Sequence, residues 1–126
     1  SEYSYDKWYL SGHSLGGAMA SLYAAEHADE LDGLILMASY STEKLSDDLK
    51  LLSLLGSNDE VVRKEVYEEN KDNWPVNTVE YIIEGGNHAQ FGDYGDQKGD
   101  GKATISSEEQ QSQAVEQIIK MINYND

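Results

Sequence analysis

Short apolar stretches alternate along the chain with longer stretches in which apolar residues recur every three or four positions. Four of the short stretches have the length and composition of strands, and they occupy residues from Lys7 to Ser11, 33–38, 51–55 and 79–83. The second and third are continuously apolar, as expected of strands that are covered on both faces. The fourth alternates apolar and polar residues, which predicts a position near a sheet edge.

Three longer stretches have the periodicity of helices. The first runs from Leu15 to about residue 28, and the second runs from Glu60 to about residue 70. The third follows Ser106 and Glu109, which have capping-box spacing, and it extends to residue 123. Its predicted inner face consists of Ala114, Val115, Ile118, Ile119 and Ile122. Strands that alternate with helices predict an α/β fold, a three-layer parallel sheet with helices on both faces.

Composition and charge narrow the class of protein. The 126 residues are about the length of one domain, which we expect to span residues 1–126. A net charge of −15, from 9 basic and 24 acidic residues, would repel nucleic acid phosphates and anionic lipids. We therefore expect neither a nucleic acid nor a membrane as partner. The absence of cysteine excludes disulfides and thiolate metal sites, and it leaves the cellular compartment open.

A Gly-x-Ser-x-Gly sequence lies between the first predicted strand and the first predicted helix. It consists of Gly12, Ser14 and Gly16 with His13 and Leu15 between them. As a bare pattern it is no more than a glycine-rich turn, but a strand before it and a helix after it favour a nucleophile elbow. Small residues two positions either side of the serine would relieve crowding there. The backbone N–H of Leu15, at the start of the helix, would face a developing oxyanion.

Two further polar residues follow the third and fourth predicted strands. Asp59 comes after the third and His88 after the fourth, so that with Ser14 the chain order is Ser, Asp, His. Sites form at the carboxyl ends of the strands in open α/β sheets, where these three residues would meet. We expect Ser14 to be the nucleophile, His88 the base and Asp59 the acid that orients the base.

Other residues compete for these roles. His13 lies within the elbow, and His27 lies among acidic residues at the end of the first helix, so both are interpreted as structural. Glu60 is the rival of Asp59, although at the start of a helix its charge would instead complement the helix dipole.

Three motifs resemble those of α/β-hydrolases: Gly-His-Ser-Leu-Gly-Gly at 12–17, Gly-Ser-Asn-Asp at 56–59 and Gly-Gly-Asn-His-Ala-Gln-Phe-Gly-Asp-Tyr-Gly at 85–95. The sequence is similar to the carboxyl-terminal half of the dienelactone-hydrolase-like or small bacterial esterase branch. The resemblance implies the same Ser14, Asp59 and His88, with the Leu15 amide as one oxyanion donor. It also implies hydrolysis of carboxylic esters through an acyl-enzyme, without a cofactor. The alternative is a non-catalytic fragment of this fold that serves as a binding or assembly module.

The sequence departs from that family in two ways. The usual members have several strands before the elbow, and a second oxyanion donor follows an early strand; this sequence has neither. We therefore expect self-association, or pairing with an upstream segment, through the Lys7 to Ser11 strand. The short connection between the second and third strands has no room for a lid domain, which favours small, soluble esters.

An acidic, glycine-rich stretch follows His88. Asp96, Asp100 and Gly101 resemble the start of an EF-hand loop, but the third position is Lys98 and the twelfth is Ser107. We therefore interpret the stretch as a solvated loop and predict no metal site.

Overall fold

Four parallel strands form the centre of the computed structural model, which describes residues 7–92 and 95–123. The strands are β1 (Tyr9–His13), β2 (Gly33–Met37), β3 (Lys50–Gly56) and β4 (Thr78–Ile83). They make one sheet in the order β1-β2-β3-β4, and each strand pairs in parallel with the next. The predicted parallel sheet is therefore confirmed, and β4 lies at an edge as its alternating pattern predicted. Asp93 and Tyr94 of the third motif lie outside the described residues.

Helices cover both faces of the sheet, as predicted. Helix α1 (Leu15–Glu26) packs on one face, where Ala20 and Ala24 contact leucines of β2 and β3. Helix α2 (Lys64–Glu69) lies on the same face, and α3 (Ser107–Asn123) lies on the opposite face. In the part of the chain that is described, no helix is long and apolar enough to cross a bilayer.

Two predicted element boundaries were wrong. Strand β1 is displaced by two residues from the predicted span, because Gly12 and His13 still pair with β2 while the Trp8 amide donates to the Asp32 carboxylate. Helix α2 begins at Lys64 and not at Glu60, because the Asp59 carboxylate holds the next residues in a turn. Glu60 therefore does not occupy the first turn of a helix.

The inner face of α3 differs from the predicted one. Ala114 is buried and Ile118 is partly buried, but Val115, Ile119 and Ile122 are exposed. The helix is rotated because the polar residue Gln110 is fully buried and bonds to the backbone of Asn87. The predicted N-cap is present, since the Ser106 hydroxyl accepts a hydrogen bond of 3.0 Å from the Glu109 amide.

The turn between β1 and α1 is tightly packed at two of its glycines. A Cβ atom on Gly12 would clash with the carbonyl group of Gly16, and one on Gly17 would lie 2.7 Å from the Ser39 Cβ. A Cβ atom on Gly16 would meet nothing within 4 Å among the described residues. The steric need for glycine that we predicted at positions 12 and 16 is therefore present at 12 and 17, because Gly16 faces outward from the helix.

This packing predicts opposite effects for two neighbouring substitutions. Gly12→Ala should lower the free energy of unfolding by about 1–3 kcal/mol, as overpacked interiors do. Gly16→Ala should leave it unchanged or raise it by up to about 1 kcal/mol, because alanine has the higher helix propensity. Urea unfolding followed by circular dichroism measures both. Equal destabilisation by the two substitutions would contradict the packing described here.

Candidate active site

Three side chains meet where β1, β3 and β4 end. Ser14 follows β1, Asp59 follows β3 and His88 follows β4. The Nε2 atom of His88 lies 2.9 Å from the Ser14 Oγ, and its Nδ1 atom lies 2.8 Å from the Asp59 Oδ2. His88 and Asp59 are buried, with exposed fractions of 1% and 0%, whereas Ser14 is partly exposed. Only the serine end of this hydrogen-bonded series therefore faces solvent.

The Asp59 carboxylate is fully hydrogen-bonded. Its Oδ1 accepts hydrogen bonds from the amides of Val61 at 2.8 Å and Val62 at 2.9 Å, while Oδ2 faces His88. Burial would raise the pKa of Asp59, but the bonds from His88 and these amides outweigh it and bring the pKa below its usual value. Asp59 is therefore ionised, and the proton between the two residues belongs to the Nδ1 atom of His88. This tautomer leaves Nε2 free to accept the hydroxyl proton of Ser14.

Glu60 does not reach the histidine. Glu60 is exposed and lies in the turn before α2. Of the two acids that the sequence offered, the structure brings Asp59 to His88.

The backbone of Ser14 is strained. Its φ of 57° and ψ of −122° are unusual for a residue with a side chain. The Ser14 carbonyl accepts hydrogen bonds from the amides of Gly17 and Ala18, at 3.0 and 3.1 Å. Leu15 is the first residue of α1, so its N–H has no acceptor within the helix and can donate to a ligand beside Ser14.

The other two histidines have different surroundings. The Nε2 of His13 lies 2.8 Å from the backbone carbonyl of His88, and its ring is tilted against that of Phe91. Burial is the main cause that lowers the pKa of His13, so the ring is neutral and its N–H donates to that carbonyl. His27 stacks on Tyr23 at the other end of α1. The sequence predicted a structural role for His13, but not this contact with the loop that follows β4 and carries His88, which we call the histidine loop.

Two more residues that contact this loop were not predicted. The Asp100 carboxylate accepts hydrogen bonds from the amides of His88 and Ala89, and the Gln110 side chain bonds to the backbone of Asn87. Gln110 could have been suspected as a polar residue on the buried face of a helix. Asp100 gave no such signal, because acidic residues are common in solvated loops.

The triad residues belong neither to a cluster of metal ligands nor to the cavity at the opposite end of the strands. Within residues 7–92 and 95–123, no group of three or more histidine, aspartate or glutamate side chains could hold a metal ion. A cavity of about 900 Å³ lies at the other end of the strands, where Lys50, Val79 and Lys120 contribute to its wall. Ser14 therefore opens on the surface and not into that cavity.

Comparisons with known proteins identify the family. A model of the alpha/beta hydrolase family matches residues 1–112, and a search of curated proteins found no match. Among solved structures, the chain is similar to a hydrolase from Thermoplasma acidophilum assigned as CIB-like, with 22% identity and a TM-score of 0.64. The aligned region covers 93% of this chain and 51% of that one.

Two other structures have the same fold. A Klebsiella pneumoniae protein assigned as a dienelactone hydrolase is 18% identical, with a TM-score of 0.67, and the alignment covers 93% of this chain and 52% of that one. Esterase 2 of Thermogutta terrifontis, in a structure phosphoramylated by tabun, is 14% identical with a TM-score of 0.53, and 90% and 54% of the chains are covered. This chain thus spans about half the length of these proteins. Because the family model matches most of its residues, the chain belongs to the alpha/beta hydrolase family.

Proposed function

We propose that this chain carries the catalytic triad of a serine hydrolase that cleaves carboxylic esters. The observation that supports this proposal most strongly is the unbroken series of hydrogen bonds from Ser14 through His88 to the ionised Asp59. A serine hydroxyl needs such a base because it is a poor nucleophile at neutral pH. The family and the hydrolases among the structural neighbours support hydrolase activity, and the ester substrate is part of our proposal.

Each step of the proposed reaction uses a described group. The Ser14 Oγ attacks the ester carbonyl carbon while its proton moves to the Nε2 atom of His88, and the Leu15 N–H donates to the oxyanion. The alcohol leaves with the proton from Nε2, and an acyl-enzyme remains. Water then attacks the acyl carbon and gives a proton to Nε2, and Ser14 is released when that proton returns to its oxygen. Asp59 stays ionised and stabilises the imidazolium.

The surroundings of Ser14 favour small substrates. The connection from β2 to β3 contains no helix among its residues 38–49, all of which are described. Leu45 and Leu49 of this connection are buried against the α1 face of the sheet. They therefore do not form a lid over Ser14, and we propose small, soluble esters as the substrate class.

The exposed flank beside β1 is the basis of a second part of the proposal. In the described residues, β1 has a neighbouring strand on one side only. The Trp8 carbonyl and the Ser14 amide bond to the β2 side, so the backbone groups of Tyr9 and Ser11 point to the other side. Along α1, the side chains of Leu15, Met19 and Leu22 are 76%, 61% and 41% exposed. We call this surface the β1 flank.

We propose that the β1 flank pairs with an upstream segment that supplies further strands of the hydrolase fold. Within residues 7–92 and 95–123, the backbone groups of Tyr9 and Ser11 face no neighbouring strand, and such an edge together with exposed apolar side chains favours a partner of this kind. The half-length match to the structural neighbours agrees with this occupant. The upstream segment would also supply the second oxyanion donor. A non-catalytic assembly module remains the alternative function, and the β1 flank is the observation that favours it.

Substitutions in the triad test the enzymatic proposal. Ser14→Ala and His88→Ala should each reduce the hydrolysis of a small nitrophenyl ester to background. Asp59→Asn should retain at least about tenfold more activity than either, because loss of the acid costs less than loss of the nucleophile or base. Glu60→Gln, a change of the neighbouring exposed acid, is the matched control and should retain activity within about twofold of the parent, as a surface residue outside the triad would. If Glu60→Gln were as damaging as His88→Ala, the assignment of the acid would be wrong.

The pH profile tests His88 as the base. Its imidazole must be neutral to accept the serine proton, so kcat/KM measured from about pH 8 to 5 should fall towards the acid end. Asp59 cannot cause this fall, because its lowered pKa keeps it ionised over the whole range. The lowered pKa of Asp59 also stabilises the fold above about pH 4, and this stabilisation is lost only below that pH. Unfolding from this cause therefore does not contribute to the fall in kcat/KM. A flat profile would contradict the role of His88.

An upstream extension tests the proposed partner of the β1 flank. The chain alone should be a weak esterase, because the loss of one oxyanion donor typically costs about 10² to 10³ in kcat. The chain extended by the upstream strands should be monomeric in light scattering and more active by about that factor. A chain that is monomeric by itself and as active as the extended one would contradict the proposal. Self-association without any gain on extension would point to a second copy as the occupant.

A further inference from the structure

The loop that carries His88 is held by a carboxylate from another part of the chain. The Asp100 Oδ1 accepts hydrogen bonds from the amides of His88 at 3.1 Å and Gly101 at 2.8 Å. Its Oδ2 accepts a hydrogen bond of 2.9 Å from the Ala89 amide. Both oxygens of Asp100 therefore bind the backbone at or next to the proposed base.

These amides need an acceptor because they begin a short helix. His88 is the N-cap of a 3-10 helix, Ala89–Phe91, and its side chain makes no capping bond. The imidazole cannot cap the helix, since both of its nitrogen atoms face Asp59 and Ser14. The Asn87 Oδ1 accepts a hydrogen bond of 3.0 Å from the Gln90 amide, and Asp100, twelve residues after His88, supplies the acceptors for the amides of His88 and Ala89. The negative charge of Asp100 suits the start of a helix.

The residues that follow Asp100 also connect the two loops of the site. The Asn87 side-chain amide donates to the Gly101 carbonyl at 2.9 Å, and that of Asn58 donates to the Lys102 carbonyl at 3.1 Å. Gly101 packs so closely that a Cβ atom there would clash with the Asn58 carbonyl. The segment from Asp100 to Lys102 therefore fixes the position of the loop of His88 relative to the loop of Asp59.

Gln110 provides a second anchor that does not involve Asp100. Its Oε1 accepts a hydrogen bond of 3.0 Å from the Asn87 amide, and its Nε2 donates to the Asn87 carbonyl at 2.8 Å. Gln110 is fully buried on α3, so it fixes the chain just before His88. The loop therefore retains attachments to the core through Gln110 and, at the His88 carbonyl, through His13 when the Asp100 bonds are removed. The part that is released is the amide side of His88 and Ala89.

We propose that Asp100 is a positioning residue that sets the placement of the His88 imidazole between Ser14 and Asp59. The effect of Asp100 on catalysis rests on the proposed function, whereas its effect on the loop rests on the backbone contacts alone. A displacement of a catalytic group by about 1 Å can cost about 10² in rate. Replacement of Asp100 should therefore lower kcat and leave KM unchanged, because Asp100 binds the loop and not the substrate.

A matched pair of substitutions tests this role. Asp100→Asn keeps the shape of the side chain but turns an NH₂ group towards either the Ala89 amide or the amides of His88 and Gly101, so a donor faces a donor. Asp96→Asn removes the same charge from an exposed residue that also borders the cavity beside Asn87 and Asp100. Asp100→Asn should lower kcat by about 10- to 100-fold with KM within about twofold, whereas Asp96→Asn should change neither by more than about twofold. Equal kinetic constants for the two variants would overturn the proposal.

Amide hydrogen exchange separates this proposal from the proposed function. In the unsubstituted chain and in Asp96→Asn, the amides of His88 and Ala89 should be protected, and in Asp100→Asn they should exchange at least about tenfold faster. Fast exchange in the unsubstituted chain, or unchanged protection in Asp100→Asn, would overturn the role of Asp100. If no ester is cleaved but the exchange follows this pattern, the enzymatic proposal fails and the positioning of His88 by Asp100 stands. If Asp100→Asn does not fold, exchange in the unsubstituted chain and in Asp96→Asn still decides whether the amides of His88 and Ala89 are hydrogen-bonded as described.

Discussion

The buried hydrogen bond between His88 and Asp59 is the contact on which the rest of the site depends. Both side chains are almost completely removed from water, and a carboxylate in such a place is costly unless it is hydrogen-bonded. The His88 ring and the amides of Val61 and Val62 satisfy it. As a result Asp59 stays ionised, the histidine proton stays on Nδ1, and Nε2 is directed towards Ser14. A different tautomer would leave the serine without an acceptor for its proton.

The parallel sheet makes this contact possible because it brings three distant parts of the chain to one edge. Ser14, Asp59 and His88 each come directly or soon after a strand, and the register of the strands fixes how closely they meet. Side chains on loops would be too mobile to keep hydrogen bonds of this kind without support. His13, Asp100 and Gln110 all bind the backbone of the histidine loop, so its support comes from α3, from the loop after His88 and from β1.

Much of this arrangement could be predicted from the sequence, and the part that could not has a physical reason. The continuous apolar runs and the glycine-rich turn are local patterns. The parallel sheet and the chain order Ser14, Asp59, His88 could therefore be predicted from the sequence. The start of α2 and the inner face of α3 depend on contacts between residues far apart in sequence. Asp59 holds a turn where helical periodicity had predicted a helix, and Gln110 rotates α3 to reach Asn87. Asp100 is a cap across twelve residues, which no local pattern reveals.

Covalent labelling tests whether Ser14 is a nucleophile that His88 activates. A fluorophosphonate reacts with an activated serine oxygen, which displaces fluoride and remains bonded to phosphorus. Peptide mass mapping should place the adduct on Ser14, and His88→Ala should remove the label without unfolding the chain. Absence of labelling in the chain and in its upstream-extended form, or an adduct on another residue, would show that Ser14 is not an activated nucleophile.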